Sequence, residues 1–254
     1  MRPLPDTFVG FDLETTGVDV ETDRIVTAAL VEVFHGAPVR SRTWLVDPGV
    51  EIPTAASDVH GVTTEQAHKN GMNPIRATAQ IAGQLWGALA HGIPLVIMNA
   101  PYDLTLLDRE CQRHGVTPVT EMLDSAGSAV ILDPLVLDKQ VDPFRPGRRT
   151  LGALADYYNV PLTNAHDAGA DALAAVRVTQ AILHSAEDPR ALRRTTRHEQ
   201  VHGRDLGEIH NMQRLWFAAQ SAGYQHWLRR TRNPRAVVNG SWPIIPARVP
   251  ARAA

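Results

Sequence analysis

A chain of 254 residues, 44% hydrophobic and 20% charged, is long enough to bury a sizeable core and has the composition of a globular protein. No apolar run approaches the roughly 18 residues of a membrane span. The N-terminus has no apolar stretch followed by a small-residue cleavage site, so a cytoplasmic setting with no membrane is expected.

The single cysteine, Cys111, excludes an intramolecular disulfide. It stands at helical spacing from Leu104 and Leu107 and reads as a buried small hydrophobe rather than a catalytic thiol. The net charge of −2 hides an asymmetry. Residues 1–186 hold 13 Lys and Arg against 22 Asp and Glu, a balance of −9. Residues 187–254 hold 12 Arg against 5 acids, a balance of +7. A basic end on an acidic body suits an acidic partner.

Thr7–Glu14 reads as a strand, closed by Thr15-Thr16-Gly17. Arg24–Phe34 and Val39–Val46 are two more β-rich runs. The turn His35–Pro38 between them predicts an antiparallel meander. Asp47-Pro48-Gly49 opens a loop. Asn73-Pro74 then starts a helix, with Ile75, Ala82, Leu85, Trp86 and Leu89 on one face. Leu95–Met98 is a short strand feeding Asn99-Ala100-Pro101, a second cap-plus-proline start, and a helix to about His114. Val130–Leu132 is a further strand. Thr150 caps a helix through about Tyr158, and a long helix runs from about His166 to Ser185.

These elements predict an α/β fold, a mixed sheet covered by helices, over residues 1–186. A composition shift after Glu187-Asp188-Pro189 predicts a basic extension over 187–254. In it, a helix from Leu206 to about Arg230 carries the stripe Ile209, Met212, Trp216, Ala219, Gly223 and Trp227. That stripe can face the body of the protein or a partner, with packing onto the body favoured. Arg229, Arg230, Arg232 and Arg235 follow closely and could guide an acidic strand. The last stretch, Asn233–Ala254, has four prolines and little periodicity, so it is expected to be extended along the surface or disordered.

Three short blocks carry chemistry: FDLETTG, NAPYDLTLL and HDAGADALAA. Asp12 and Glu14 are two apart on a strand and share a face, where they repel unless a cation lies between them. Asp103 sits in the first turn of a helix, where the helix dipole favours a carboxylate with or without a functional role. His166 and Asp171 are five residues apart, about 140° around a regular helix. They can share a site only if His166 lies on the loop or the first frayed turn; otherwise His166 is an ordinary surface residue. Four carboxylates and one imidazole from three segments make a site for two divalent metals and a general base. Oxygen ligands without thiolates suit Mg²⁺ or Mn²⁺.

The blocks DLETTG, NAxxD and HxxxxD, in this order, resemble the DEDDh or DnaQ-like exonucleases. That family has a ribonuclease H-like fold and includes the proofreading epsilon subunits of bacterial DNA polymerase III. The likeness covers about residues 5–185 and extends to Thr22–Ile25, Leu45–Gly49 and Val59–Thr63. It implies Asp12, Glu14, Asp103 and Asp171 as ligands of two metal ions and His166 as general base. It also implies terminal-nucleotide contacts from the backbone around Leu13–Thr15 and from His60. Asn99 could fix the strand-to-helix turn, and Tyr102 could stack on a base or merely pack.

The expected activity is 3′–5′ exonucleolytic release of nucleoside 5′-monophosphates from single-stranded or frayed ends. DNA is favoured, with RNA as the alternative substrate. A non-catalytic nucleic-acid-binding module is the reading from a different class. A polymerase partner or self-association through the extension is also open.

Overall fold

The structure is a computed structural model that describes residues 4–185, 197–201 and 203–247. Five strands form one mixed sheet: β1 (Thr7–Thr15), β2 (Ile25–Phe34), β3 (Ala37–Leu45), β4 (Leu95–Val96) and β5 (Ile131–Leu132). Their order is β3-β2-β1-β4-β5. The first three pair as the expected antiparallel meander, and β4 and β5 join it in parallel. β1 and β2 are buried over most of their length, as central strands covered by helices must be. β3 is an exposed edge, guarded by Arg40 and Arg42.

The helices are α1 (Thr54–His60), α2 (Thr64–Asn70), α3 (Pro74–Ala90), α4 (Ala100–His114), α5 (Val119–Ala126), α6 (Pro134–Val141), α7 (Leu151–Tyr157), α8 (Ala168–Ser185) and α9 (Leu206–Thr231). α1 and α2 occupy the segment that reads as a loop in the sequence. Each is seven residues long and α1 buries none of them, so there is no apolar stripe to detect. α3 opens as expected, with Asn73 accepting the Ile75 and Arg76 N–H groups. Its buried face centres on Ile81, Ala82, Leu85 and Leu89. Ile75 and Trp86, expected on that face, are 53% and 37% exposed instead.

α8 crosses the meander against β1 and β2, at a distance only glycine permits. A Cβ on Gly10 would stand 2.3 Å from the Ala172 carbonyl oxygen. Ala172 follows Asp171, so this contact sets how closely Asp171 approaches the end of β1. Gly10 has no signature in the sequence beyond being a glycine in a strand.

The boundary expected at 186/187 falls on residues outside the described set. Beyond it, α9 closes an open edge of the sheet. β5 is an edge strand whose outer groups are met by side chains of α9. The Ile131 N–H donates to His210 Nδ1 at 3.0 Å, and Gln213 Nε2 donates to the Ile131 carbonyl at 2.8 Å. The Asp133 N–H donates to Gln213 Oε1 at 2.7 Å. Further along, Gln220 Nε2 donates to the Val136 carbonyl at 3.1 Å.

Of the expected α9 stripe, Ile209 and Trp216 enter the main hydrophobic core, while Ala219, Gly223 and Trp227 are exposed. The buried line runs through Gln213 instead, a polar residue satisfied by backbone. Residues 233–247 form no helix or strand and fold back onto α4. Trp242 is buried, the Ile245 N–H donates to Thr105 Oγ1 at 2.9 Å, and Arg109 donates to the Ile245 carbonyl at 2.8 Å. Residues 248–254 of the tail expected to be extended or disordered lie outside the described residues. Among the described residues no helix is long and apolar enough to cross a membrane.

Candidate active site

Three elements deliver acidic side chains to the carboxyl end of β1. Asp12 and Glu14 are on β1 itself, both half-buried. Asp103 is in the first turn of α4 and almost fully buried. Its Oδ1 accepts the Leu13 N–H at 3.0 Å, which ties α4 to the strand between the other two carboxylates. Asp171 is in the first turn of α8.

α8 begins at Ala168, two residues after His166, which frees the imidazole from the helical offset. His166 is exposed, and its backbone is left-handed with φ of 68°. The His166 N–H donates to Asp171 Oδ2 at 3.1 Å. Ligand-capable atoms of Glu14, His166 and Asp171 all lie within 4.8 Å of one another.

The electrostatics show how crowded the carboxylates are. Burial, then Asp103, Asp171 and Glu14, push Asp12 well above the ordinary carboxylate range. Burial also raises Asp103 well above it, against the stabilising Leu13 N–H and with Asp133 and Glu14 adding repulsion. Glu14 is pushed up to about 7 by burial, with Asp171 and Asp167 contributing. Asp171 is raised by burial, opposed by the His166 N–H. Asp167, not singled out from the sequence, also caps α8 by accepting the Ala170 N–H at 2.9 Å. Asp171 Oδ1 is buried with no hydrogen-bond partner. Mutually repelling carboxylates with an unanswered buried oxygen are a donor set suited to hard cations.

The residues expected to meet a nucleotide sit around this cluster, several with their polar groups already engaged. The Leu13 N–H is held by Asp103. Thr15 Oγ1 lies 2.7 Å from the Gly17 carbonyl oxygen, and the Tyr102 hydroxyl lies 2.5 Å from both, so the two hydroxyl hydrogens are shared within this triangle. Tyr102 therefore pins the turn after β1, and its hydroxyl is pushed up to about 12 by burial. Arg109 and Arg24 hold the same turn to α4 through Glu21 at 3.0 Å and Glu110 at 2.8 Å. His60 ends α1 with Nδ1 accepting the Val62 N–H at 3.2 Å. Its Nε2 faces the Thr15 backbone without a bond of normal geometry. Burial lowers its pKa, and repulsion from His166 adds to that, which places the two rings in one neighbourhood.

Asn99 departs from its expected role as a capping residue. It is left-handed, with φ of 61°, and its side chain makes no capping bond. The cap is Asp133, from the end of β5. Its carboxylate accepts the Asn99 N–H at 3.1 Å, the Ala100 N–H at 3.0 Å and the Leu135 N–H at 2.9 Å. One fully buried side chain thus starts both α4 and α6. Burial raises its pKa to about 6 although these N–H groups favour the charge. Asp133→Ala is expected to cost about 3 kcal/mol or more of stability, because three backbone donors lose their acceptor. Denaturant unfolding measures it, and a loss under about 1 kcal/mol would remove Asp133 from this positioning role.

A family model for the RNase_T exonucleases matches residues 9–179. A PolC-type DNA polymerase III of Lacticaseibacillus paracasei is 26% identical over 165 residues, 65% of this chain and 10% of that protein. A DNA polymerase III subunit epsilon-like protein of Rhodobacter capsulatus is 38% identical over 107 residues, 41% of this chain and 14% of that protein. The matched stretches thus span little more than a tenth of the length of these curated relatives.

Among solved structures, E. coli exonuclease I in complex with a dA16 oligonucleotide superposes with a TM-score of 0.58 at 20% identity, over 74% of this chain and 42% of that one. Exonuclease I of Methylocaldum szegediense gives 0.57 at 20% identity, with the same two coverages, 74% and 42%. Those two likenesses show the ribonuclease H-like fold. The family model spans more than half of the sequence, and the protein therefore belongs to the RNase_T, DnaQ-like exonuclease family.

Proposed function

We propose that the chain is a metal-dependent 3′–5′ exonuclease that releases nucleoside 5′-monophosphates from single-stranded or frayed DNA ends. The observation that carries this reading is the convergence of Asp12, Glu14, Asp103 and Asp171 at one sheet end, with their charges mutually disfavoured and His166 exposed beside them. DNA is favoured because the relatives are DNA polymerase III chains and E. coli exonuclease I has been solved with dA16 and dT13 oligonucleotides. A nucleic-acid substrate and a single buried cysteine support a cytoplasmic setting.

Asp12, Glu14, Asp103 and Asp171 would hold the cations, Mg²⁺ or Mn²⁺. When bound, two such ions supply positive charge to the attacking and leaving oxygens of an in-line displacement. His166 takes the proton of the attacking water. Its backbone is set by the left-handed conformation and by the N–H bond to Asp171, which puts the residue beside the cluster. The water oxygen bonds to phosphorus, the bond to the 3′ oxygen breaks, and the nucleoside 5′-monophosphate leaves. Tyr102 and Thr15 keep the turn after β1 closed over the strand end.

The test is a pair of 5′-labelled oligonucleotides of one sequence, DNA and RNA, with Mg²⁺, with Mn²⁺ and with EDTA. A ladder shortening from the 3′ end of the DNA, abolished by EDTA and restored by excess Mg²⁺, is expected. Faster RNA degradation would reassign the substrate. Binding without hydrolysis under every metal condition would point to a non-catalytic module.

A further inference from the structure

The far end of α9 carries a surface that neither the core nor the catalytic reading uses. Tyr224 and Trp227, one helical turn apart, stack with centroids 5.8 Å apart and planes 14° apart. Both stay in solvent, 54% and 45% exposed. Arg232 Cζ lies 5.5 Å from the Trp227 ring centroid, on a residue that is itself exposed. The result is a column of Tyr224, Trp227 and Arg232, with Arg230 and Arg235, close by in sequence, also exposed. No Asp or Glu follows Glu208 in the chain, so nothing acidic in this stretch offsets those arginines.

Ordinary explanations cover only part of this. The helix dipole favours cations in a last turn, which accounts for Arg229 and Arg230. Arg229 also donates to the Ala236 carbonyl at 2.8 Å, closing the return of the chain. Neither accounts for Arg232 and Arg235, nor for two large aromatic rings left in water when Trp216 of the same helix is buried.

The column also lies toward the reactive end of the sheet. β1, β4 and β5 are parallel, so their carboxyl ends share an edge, and that edge bears Asp12 and Glu14. Contacts along α9 advance along β5 and then onto α6, which follows its carboxyl end: His210 at Ile131, Gln213 at Asp133, Gln220 at Val136. The helix therefore runs in the sense of β5. Its last turns extend beyond that edge, with Trp227 about 21 Å further along the axis than Gln213 at 1.5 Å per residue.

We propose that Tyr224, Trp227 and Arg232, with Arg230 and Arg235, form a second binding site for the single-stranded nucleic-acid substrate, holding nucleotides 5′ of the end being cleaved. A base stacks on the open face of Tyr224, since every base has a π-face and the contact is sequence-tolerant. The arginines meet the neighbouring phosphates and offset the repulsion between the strand and the acidic cluster. The substrate class rests on the exonuclease reading, but the surface can be tested without turnover.

The experiment measures anisotropy of a labelled single-stranded DNA of about twenty nucleotides with the full chain in EDTA. Wild type is compared with Tyr224→Ala/Trp227→Ala, Arg232→Glu/Arg235→Glu and, as a control, Leu215→Ala, an exposed residue of α9 away from the column. The aromatic variant is expected to bind roughly tenfold more weakly or worse. The arginine variant is expected to lose affinity and show a shallower dependence on salt. The Leu215→Ala control is expected to match wild type.

With Mg²⁺, the wild-type preference for the long substrate over a trinucleotide should shrink in the aromatic variant by the factor lost in binding. Affinity within twofold of wild type for both platform variants would overturn the proposal. So would a wild-type chain that binds no single strand in EDTA. Unchanged DNA affinity with loss of self-association in sedimentation would give the surface to a protein partner instead. Weakened binding in a chain that hydrolyses nothing would keep this site and sink only the exonuclease reading.

Discussion

Replacing Asp12 or Asp171 by alanine is expected to lower hydrolysis by about a thousandfold or more while the fold persists. Each substitution removes an oxygen donor from a cluster whose members already raise one another's pKa. In EDTA, the variants should therefore melt at or above the wild-type temperature, because a repelling charge has gone. On adding Mg²⁺, the wild-type melting temperature should rise and that of the variants should rise less. These two readouts separate loss of a ligand from loss of structure. Activity within tenfold of wild type for either variant would sink the assignment of these carboxylates. So would an equal Mg²⁺-induced gain in variant and wild type.

His166→Ala is expected to lower kcat by roughly 10²- to 10⁴-fold, the usual worth of a general base. The ring is exposed and lies ahead of α8, so its removal leaves no cavity in the core. Its position near Glu14 and Asp171 makes metal affinity the informative second measurement. The stabilisation by Mg²⁺ should persist in the variant, since four carboxylates remain. His166→Gln should behave like the alanine variant. Added imidazole should restore part of the rate in His166→Ala, because the vacated place is open to solvent. A variant that keeps its kcat would end the general-base role. One that loses the Mg²⁺ response along with kcat would make His166 a ligand.

Much of the fold was legible because its signals are local. The meander follows from β-rich runs and the His35–Pro38 turn, and α3 from Asn73-Pro74. The three acidic blocks could be read for the same reason. Alternation puts Asp12 and Glu14 on one face, and the five-residue gap requires His166 to precede the helix that carries Asp171. α1 and α2 escaped because helices of seven residues have too few buried positions to show a period.

What only the tertiary structure decided involves partners far apart in the chain. The cap of α4 looked like Asn99, its immediate neighbour, and is Asp133, 34 residues later. Gln213 is polar and has no place in the expected apolar stripe, yet it is fully buried. It is buried because β5, 82 residues earlier, has an open edge whose carbonyl needs a donor. Gly10 passes as a weak point in a strand until the Ala172 carbonyl is seen against it. Trp216 and Trp227 belong to one pattern by spacing, yet the first is in the core and the second in solvent. Spacing records which side chains share a face of a helix. How far along that face the rest of the protein reaches depends on the length of the sheet it packs against, which no local pattern encodes.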